Sequence, residues 1–372
     1  MISRAEGRVL RITGEAEGLT HLIVEVAGQD YPAINFDAIT GTVKPGDLVL
    51  LNTTAVDLKL GTGGSHFVMA NLTLPVAESA VDAKPGHIMK MRYTPNQIKV
   101  LAAEEQDSPY HQVMAGCTSL NSAPVVCCSL HSMLPPAAAA VKAYNRELRV
   151  IYVMTDAAAL PLGLSKMVQA LKLEGLIEGT VTVGHAFGGD LETVNIYSGL
   201  LAAIELLKAD VIVAGMGPGI VGTGTPYGFS GIEQAGLIHA AHSLEGIPVA
   251  IPRISFADKR ERHRGLSHHS KTVFGRATLV AANISMPLIG KERLKTVIGQ
   301  MQEAGITKKH KIVLEQGEPG LELLEQCGIK VTTMGRSVAE EKEFFLAASC
   351  AGRIAAKIHA GETLKYWEEK DL

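Results

Sequence analysis

The chain has 372 residues, 47% of them hydrophobic and 20% charged, which suits two well-buried domains and excludes a disordered chain. Its formal charge of −3 argues against a general nucleic-acid binder, which carries a basic face.

The opening stretch MISRAEGRVLRITGE lacks the apolar run of a signal peptide, and no segment reaches the roughly 18 apolar residues of a membrane span. A cytoplasmic protein with no membrane partner is expected. The first hundred residues read as β. Alternating segments at 8–12, 21–26, 47–51 and 66–72 are separated by Gly, Pro and Asn. Lys44-Pro45-Gly46-Asp47 is a tight-turn signal, with proline setting φ and glycine accepting a positive one. Such punctuation predicts a small barrel. A helix is predicted after Thr94, with Pro95 at its first position and Gln97 completing a capping box. The polar run Glu104–Pro109 reads as a linker, which divides the chain into a β-rich domain, 1–105, and an α/β domain, 106–372.

From about residue 120 apolar runs alternate with helical patterns. Strands are predicted at 125–130, 149–155, 180–186, 210–215, 248–251, 278–282, 312–315 and 330–333. Leu160, Leu164, Met167, Val168 and Leu171 share one helical face, as do Tyr197, Leu200, Leu201, Ile204 and Leu207. Apolar strands alternating with such helices predict an open, mostly parallel, Rossmann-like sheet with helices on both faces. A closed eight-stranded barrel is the alternative. The five cysteines have no C-x-x-C spacing, so no disulfide framework or zinc ribbon is signalled, and Cys127 and Cys128 read as buried thiols. A small-residue stripe at Ala347, Ala348, Ala351 and Ala355 suits close packing, in the core or in a homo-oligomer, which is left open.

Open α/β sheets bind ligands beyond the carboxyl ends of their strands, and the unusual residues fall there. His131, Asp156, His185, Asp190 and His268 are the candidates for acid–base work or for holding a divalent metal. Asp156 and Asp190 could equally cap the helices that follow them. The loop Gly217, Gly219, Gly222, Thr223, Gly224 and Thr225, leading to a helix near Ser230, suits close approach of an anion. As text it matches the dinucleotide fingerprint, but eight more turn-forming residues precede the helix and Pro218 has no N–H, so nicotinamide and flavin are disfavoured. Arg253, Arg260, Arg262 and Arg264 could hold phosphate or carboxylate, with His269 beside them. Adjacent His268 and His269 should point apart on a helix, so at most one is expected at a site unless they lie in a loop.

Several segments resemble one known family. Leu51–Leu58 with Gly61-Thr62-Gly63-Gly64, and Gly86–Pro95, are similar to its N-terminal signatures. Gly184–Asp190, Gly217–Gly231 and Pro252–His269 are similar to its C-terminal ones. This is the bacterial family called domain of unknown function 3866, and the resemblance implies one architecture over nearly the whole chain and no activity. The signature Asp57–His66 could form a lid over the C-terminal site. Three functions follow from the residues: an enzyme, transferase or hydrolase rather than oxidoreductase, acting on a small anionic metabolite or nucleotide; a ligand-binding regulator using the same pocket; or a scaffold whose basic run recruits an acidic partner.

Overall fold

The computed structural model describes residues 2–16, 18–60, 63–73 and 85–369. The chain divides into two compact units, Met1–Leu101 and Ala102–Leu372. Among the described residues, no helix is long and apolar enough to cross a membrane.

The first unit contains a closed five-stranded barrel. Its strands are β1 (Arg4–Ala16), β2 (Leu19–Val26), β3 (Gln29–Phe36), β4 (Leu48–Asn52) and β5 (His66–Asn71), in the order β1-β2-β3-β5-β4 with β4 returning to β1. Val9, Leu22, Val24, Val49, Leu51 and Val68 fill the interior. The predicted turn closes as expected: Gly46 takes φ 95°, and Asp47 accepts from the Lys44 N–H at 3.0 Å. His66 is buried against the Tyr31 ring in its own barrel. Gly61 and Thr62 of the neighbouring signature lie outside the described residues.

The helix predicted after Thr94 is instead the turn of a hairpin, β6 (Ile88–Lys90) with β7 (Ile98–Val100). Thr94 Oγ1 accepts from the N–H of Asn96, two residues on, and strand pairing on both sides leaves no room for a helix. The Glu104–Pro109 run is built into the second unit. Glu105 Oε1 accepts from Ala102 N at 2.7 Å, and Glu104 Oε1 from Val194 N at 2.8 Å. The division therefore falls after Leu101, ahead of the polar run.

The second unit is built on β8 (Pro124–Cys127), β9 (Val150–Thr155), β10 (Gly179–Thr182), β11 (Leu191–Glu192), β12 (Val211–Met216), β13 (Ile247–Ala250), the short pair β14 (Ile254–Ser255) and β15 (Gly265–Leu266), then β16 (Asn283–Pro287) and β17 (Lys311–Glu315). Eight of these form one open parallel sheet in the order β11-β10-β9-β12-β8-β13-β16-β17. The β8, β9, β10 and β12 side chains are buried throughout, as a sheet covered on both faces requires. Two predicted strands are absent. Residues 278–282 are a loop after a π-turn, in which Thr278 N and Oγ1 both bond back to Val273 O. Of 330–333 only Thr332–Thr333 is extended, in a separate two-stranded ribbon with Arg336–Ser337.

The right-handed rule for crossovers puts connections that run in opposite directions along the sheet on opposite faces. The helices Leu134–Tyr144, Glu318–Gln326 and Lys342–His359 pack together, and the helices Ile196–Glu205 and Gln234–Ser243 pack together on the other side. Ala347, Ala348, Ala351 and Ala355 are all at 0% exposure, so the small-residue stripe is spent inside the chain. Connections leave β9 and β12 in opposite directions, and likewise β8 and β13. These are the two points where an open sheet forms a crevice for a ligand. Gln234 plugs the second: its amide donates to Cys127 O at 2.8 Å and Ile251 O at 2.9 Å.

Candidate functional site

At the β9 side of the first crevice, Thr155 and Asp156 leave the strand end and face Glu233, from the turn before the helix Gln234–Ser243. Together with Val183, Gly184 and Asn195 they border a cleft of about 400 Å³. Thr155 Oγ1 donates to Glu233 Oε1 at 2.6 Å. Burial pushes the Glu233 carboxyl up to about 7; the Thr155 bond opposes the rise and the Asp156 charge adds to it. Asp156 Oδ2 accepts from the His185 N–H at 2.9 Å. Gly184, at φ 62°, makes that approach possible, since a Cβ there would stand 2.2 Å from Asp156 Oδ2. A carboxyl that exchanges its proton near neutrality, beside a second carboxylate in a cleft, is equipped for acid–base chemistry.

The other candidates are placed differently. His131 is held on both ring nitrogens, by Ser165 Oγ at 2.7 Å and by Tyr152 Oη and Met216 O at 3.3 Å each. Burial lowers it to about 4, despite the bond to Met216 O, so it is neutral. Asp190 precedes β11 and sits at the amino end of the sheet, bonded to Thr180 N, Thr180 Oγ1 and Lys172 Nζ. It does not meet the Asp156 cleft, and Asn195 rather than Asp190 caps the next helix. Asp156 caps no helix end either.

The glycine loop divides into two parts. Gly217 lies where a Cβ would stand 2.8 Å from Ala159 O, and Ala159 N bonds back to Pro218 O at 3.0 Å. From Gly222 the loop turns on itself. Gly222 bridges to Phe229, Thr223 Oγ1 meets Thr225 Oγ1 at 2.9 Å and Gly228 O at 2.9 Å, and Ser230 Oγ accepts from Val221 N at 3.1 Å. The exposed tip brings Gly224, at φ 80°, against the Arg262 guanidinium. Gly219 takes φ 117° beside the exit from β9.

The basic segment is organised around Asp258. Arg260 grips it with two bonds, at 2.9 and 2.8 Å, and Arg253 and Arg336 approach it at 3.5 and 3.4 Å. The bonds from Arg260 hold the Asp258 carboxyl far below the usual carboxylate range, against the opposing effect of burial. Two arginines expected to hold a ligand thus already hold an internal carboxylate, whereas Arg262 and Arg264 form no ion pair among the described residues. Beyond them His263, His268 and His269 gather, with ring centroids 4.2 to 5.1 Å apart. The expectation that His268 and His269 point apart fails because they open a helix at its first two positions, after Ser267, rather than lying in its interior. Burial, then the flanking cations, lowers His263 to about 3; burial, then His268 and Arg253, lowers His269 to about 3. His268 also borders a second cleft, of about 420 Å³, with Lys271, Arg276 and Gln300.

Glu233 and Asp258 were not singled out by sequence. Ser230-Gly231-Ile232-Glu233 reads locally as a capping box, which hides a glutamate whose partner is 78 positions away.

A family model described as a protein of unknown function, DUF3866, matches residues 32–352. No curated protein matches the chain.

Proposed function

The chain belongs to the DUF3866 family, which assigns no activity, and from the geometry of the first crevice we propose that it is an enzyme acting on a small metabolite in the Asp156–Glu233 cleft. The supporting observation is the position of Glu233: a largely buried carboxyl, bonded to Thr155, in a cleft at a topological switch point of the sheet. Glu233 gives a proton to the departing oxygen or nitrogen, and Asp156 takes one from the attacking water or hydroxyl. That division of labour suits hydrolysis or group transfer. A paired acid and base contributes about 100- to 10,000-fold in rate.

The test is a thermal-shift screen of carboxylates, phosphorylated metabolites and nucleotides, followed by turnover assays on each hit. A ligand at 100 times its Kd adds about 2.7 kcal/mol of stability. A hit whose turnover falls at least 100-fold in Glu233→Gln supports the reading. Hits that bind and turn over equally well in Glu233→Gln and Asp156→Asn overturn it.

A second reading, an anionic ligand bound without turnover, is favoured by the 420 Å³ cleft. Lys271 and Arg276 line it together with one acid, Glu303, and the two cations form no ion pair among the described residues. In that case hits are anions, and Lys271→Ala or Arg276→Ala removes them while Glu233→Gln does not.

A further inference from the structure

The acid–base cleft makes no use of the three histidines beyond β13. His263, His268 and His269 each offer one ring nitrogen, and these nitrogens all lie within 4.8 Å of one another. We infer that this cluster is a binding site for one first-row divalent cation, Zn²⁺ foremost.

Three observations converge. The Nε2 atom of His268 is buried and has no hydrogen-bond partner, a state that buried polar nitrogens rarely keep unless an ion or ligand takes them. Ser267 Oγ engages His263 Nδ1 at 2.8 Å, which leaves Nε2 of that ring for the cluster. An outer partner on the far nitrogen is how ligating histidines are oriented. The His269 ring is clamped flat against Phe229, with centroids 3.9 Å apart and planes 8° from parallel. Two of the three rings are thus held by neighbours of their own, and the third carries the unpartnered nitrogen.

Tetrahedral zinc, with Zn–N bonds of about 2.0–2.1 Å, sets its nitrogens roughly 3.3 Å apart. The rings need to close by about 1.5 Å, which side-chain rotation supplies. Imidazole sets suit zinc, copper, nickel and cobalt, whereas magnesium and calcium prefer oxygen. Nearby charge does not forbid the cation. Arg253, Arg260 and Arg336 face Asp258 and Glu341, so three positive charges meet two negative ones and most of that charge is compensated. Arg262 remains, and with Lys271 in the adjoining cleft it favours an anion or hydroxide at the fourth position that three histidines leave open.

The full chain, stripped with a chelator and dialysed, is titrated with Zn²⁺ by calorimetry and with Co²⁺ by visible absorption. One cation per chain, with the intense cobalt bands of tetrahedral coordination, is expected. His263→Ala and His268→Gln should each weaken binding at least 100-fold while their melting profiles stay cooperative; the glutamine keeps the volume and polarity of the site. His242→Ala, on another helix, and Glu233→Gln should bind as the parent does. The inference is overturned by an absence of stoichiometric binding, or by equal affinity in the parent, His263→Ala and His268→Gln. Because Glu233→Gln reports on the acid–base cleft and the histidine variants on the cation, either reading can fail alone.

Discussion

Thr155 Oγ1 donates a 2.6 Å hydrogen bond to Glu233 Oε1, tying the end of β9 to the turn that opens the helix Gln234–Ser243. The bond crosses the crevice between β9 and β12 and fixes a largely buried carboxyl beside Asp156. Its energetic signature is a dependence on pH. Glu233 rises from 4.5 to about 7 on folding, so the folded chain holds a proton that the unfolded chain releases. That contribution is complete below pH 4.5 and is lost as pH rises through 7. It amounts to about 3 kcal/mol. Glu233→Gln has no such proton, so urea denaturation at pH 5 and pH 8 should show the parent losing roughly that much relative to the variant. Parallel profiles would remove the perturbed carboxyl from the argument.

His131 gives the opposite sign in a different window. It falls from 6.5 to about 4 on folding, because burial disfavours the charged ring. Its contribution is complete above pH 6.5 and is lost as pH falls through 4, again about 3 kcal/mol in all. The ring also bonds Ser165 Oγ, which caps the helix Lys166–Leu173 through Val168 N. His131→Ala should therefore cost about 1–3 kcal/mol at pH 7 by leaving the Ser165 hydroxyl short of a partner, while Tyr152 keeps its bonds to Gly215 O and Met216 O. It should also flatten stability between pH 6.5 and 4. An unchanged acid limb in the variant would show that another group carries that dependence.

The barrel and the parallel sheet were legible because burial imposes period and composition: alternation in β1 and β2, continuous apolar runs in β9 and β12. Elements without those marks were missed. β3 carries Pro32 inside it, and β11 is two residues long. For the site, sequence showed which loops carry unusual residues but not which residues meet. Asp190 was grouped with His185 by proximity in the chain, yet it sits at the entry to β11 while His185 sits at the exit from β10. Arg253 and Arg260 read as free cations because their partner, Asp258, could only be matched to them once the segment was folded. Glu233 was invisible for the same reason, since the bond from Thr155 crosses between two separate strand-to-helix connections.

Asp258 tests that internal anion directly. Its side chain is 3% exposed, and three guanidiniums converge on it. Removing one partner of a buried charged set leaves the others unpaired, at a cost of about 3–5 kcal/mol. Asp258→Asn should thus be among the most destabilising single changes in the second unit, chiefly through Arg253, which is itself 5% exposed. The folded carboxyl is held far below its unfolded value, so its contribution is present above the ordinary carboxylate range and is lost in strong acid. Parent and variant should converge in stability as pH falls below about 4. A difference that persists undiminished there would assign the loss to packing rather than charge.

Gly352 tests how the buried face of the long C-terminal helix is used. A Cβ at this position would stand 2.0 Å from Ala137 O and 2.8 Å from Ala137 C, both backbone atoms of the helix Leu134–Tyr144. No rotamer relieves such a contact, because the obstacle is main chain. Gly352→Ala must push two helices apart beneath β8, in a core where Ala347, Ala348, Ala351 and Ala355 are all fully buried. Overpacking of this kind costs about 1–3 kcal/mol and occasionally more, against the roughly 1 kcal/mol by which alanine improves on glycine within a helix. Gly299, in the helix Lys291–Glu303, supplies the contrast, since no atom lies within 4 Å of a Cβ placed there. Gly299→Ala should raise stability by up to about 1 kcal/mol, and Gly352→Ala should lower it, in the same chemical denaturation experiment. Two changes of the same sign would contradict the close approach of these helices.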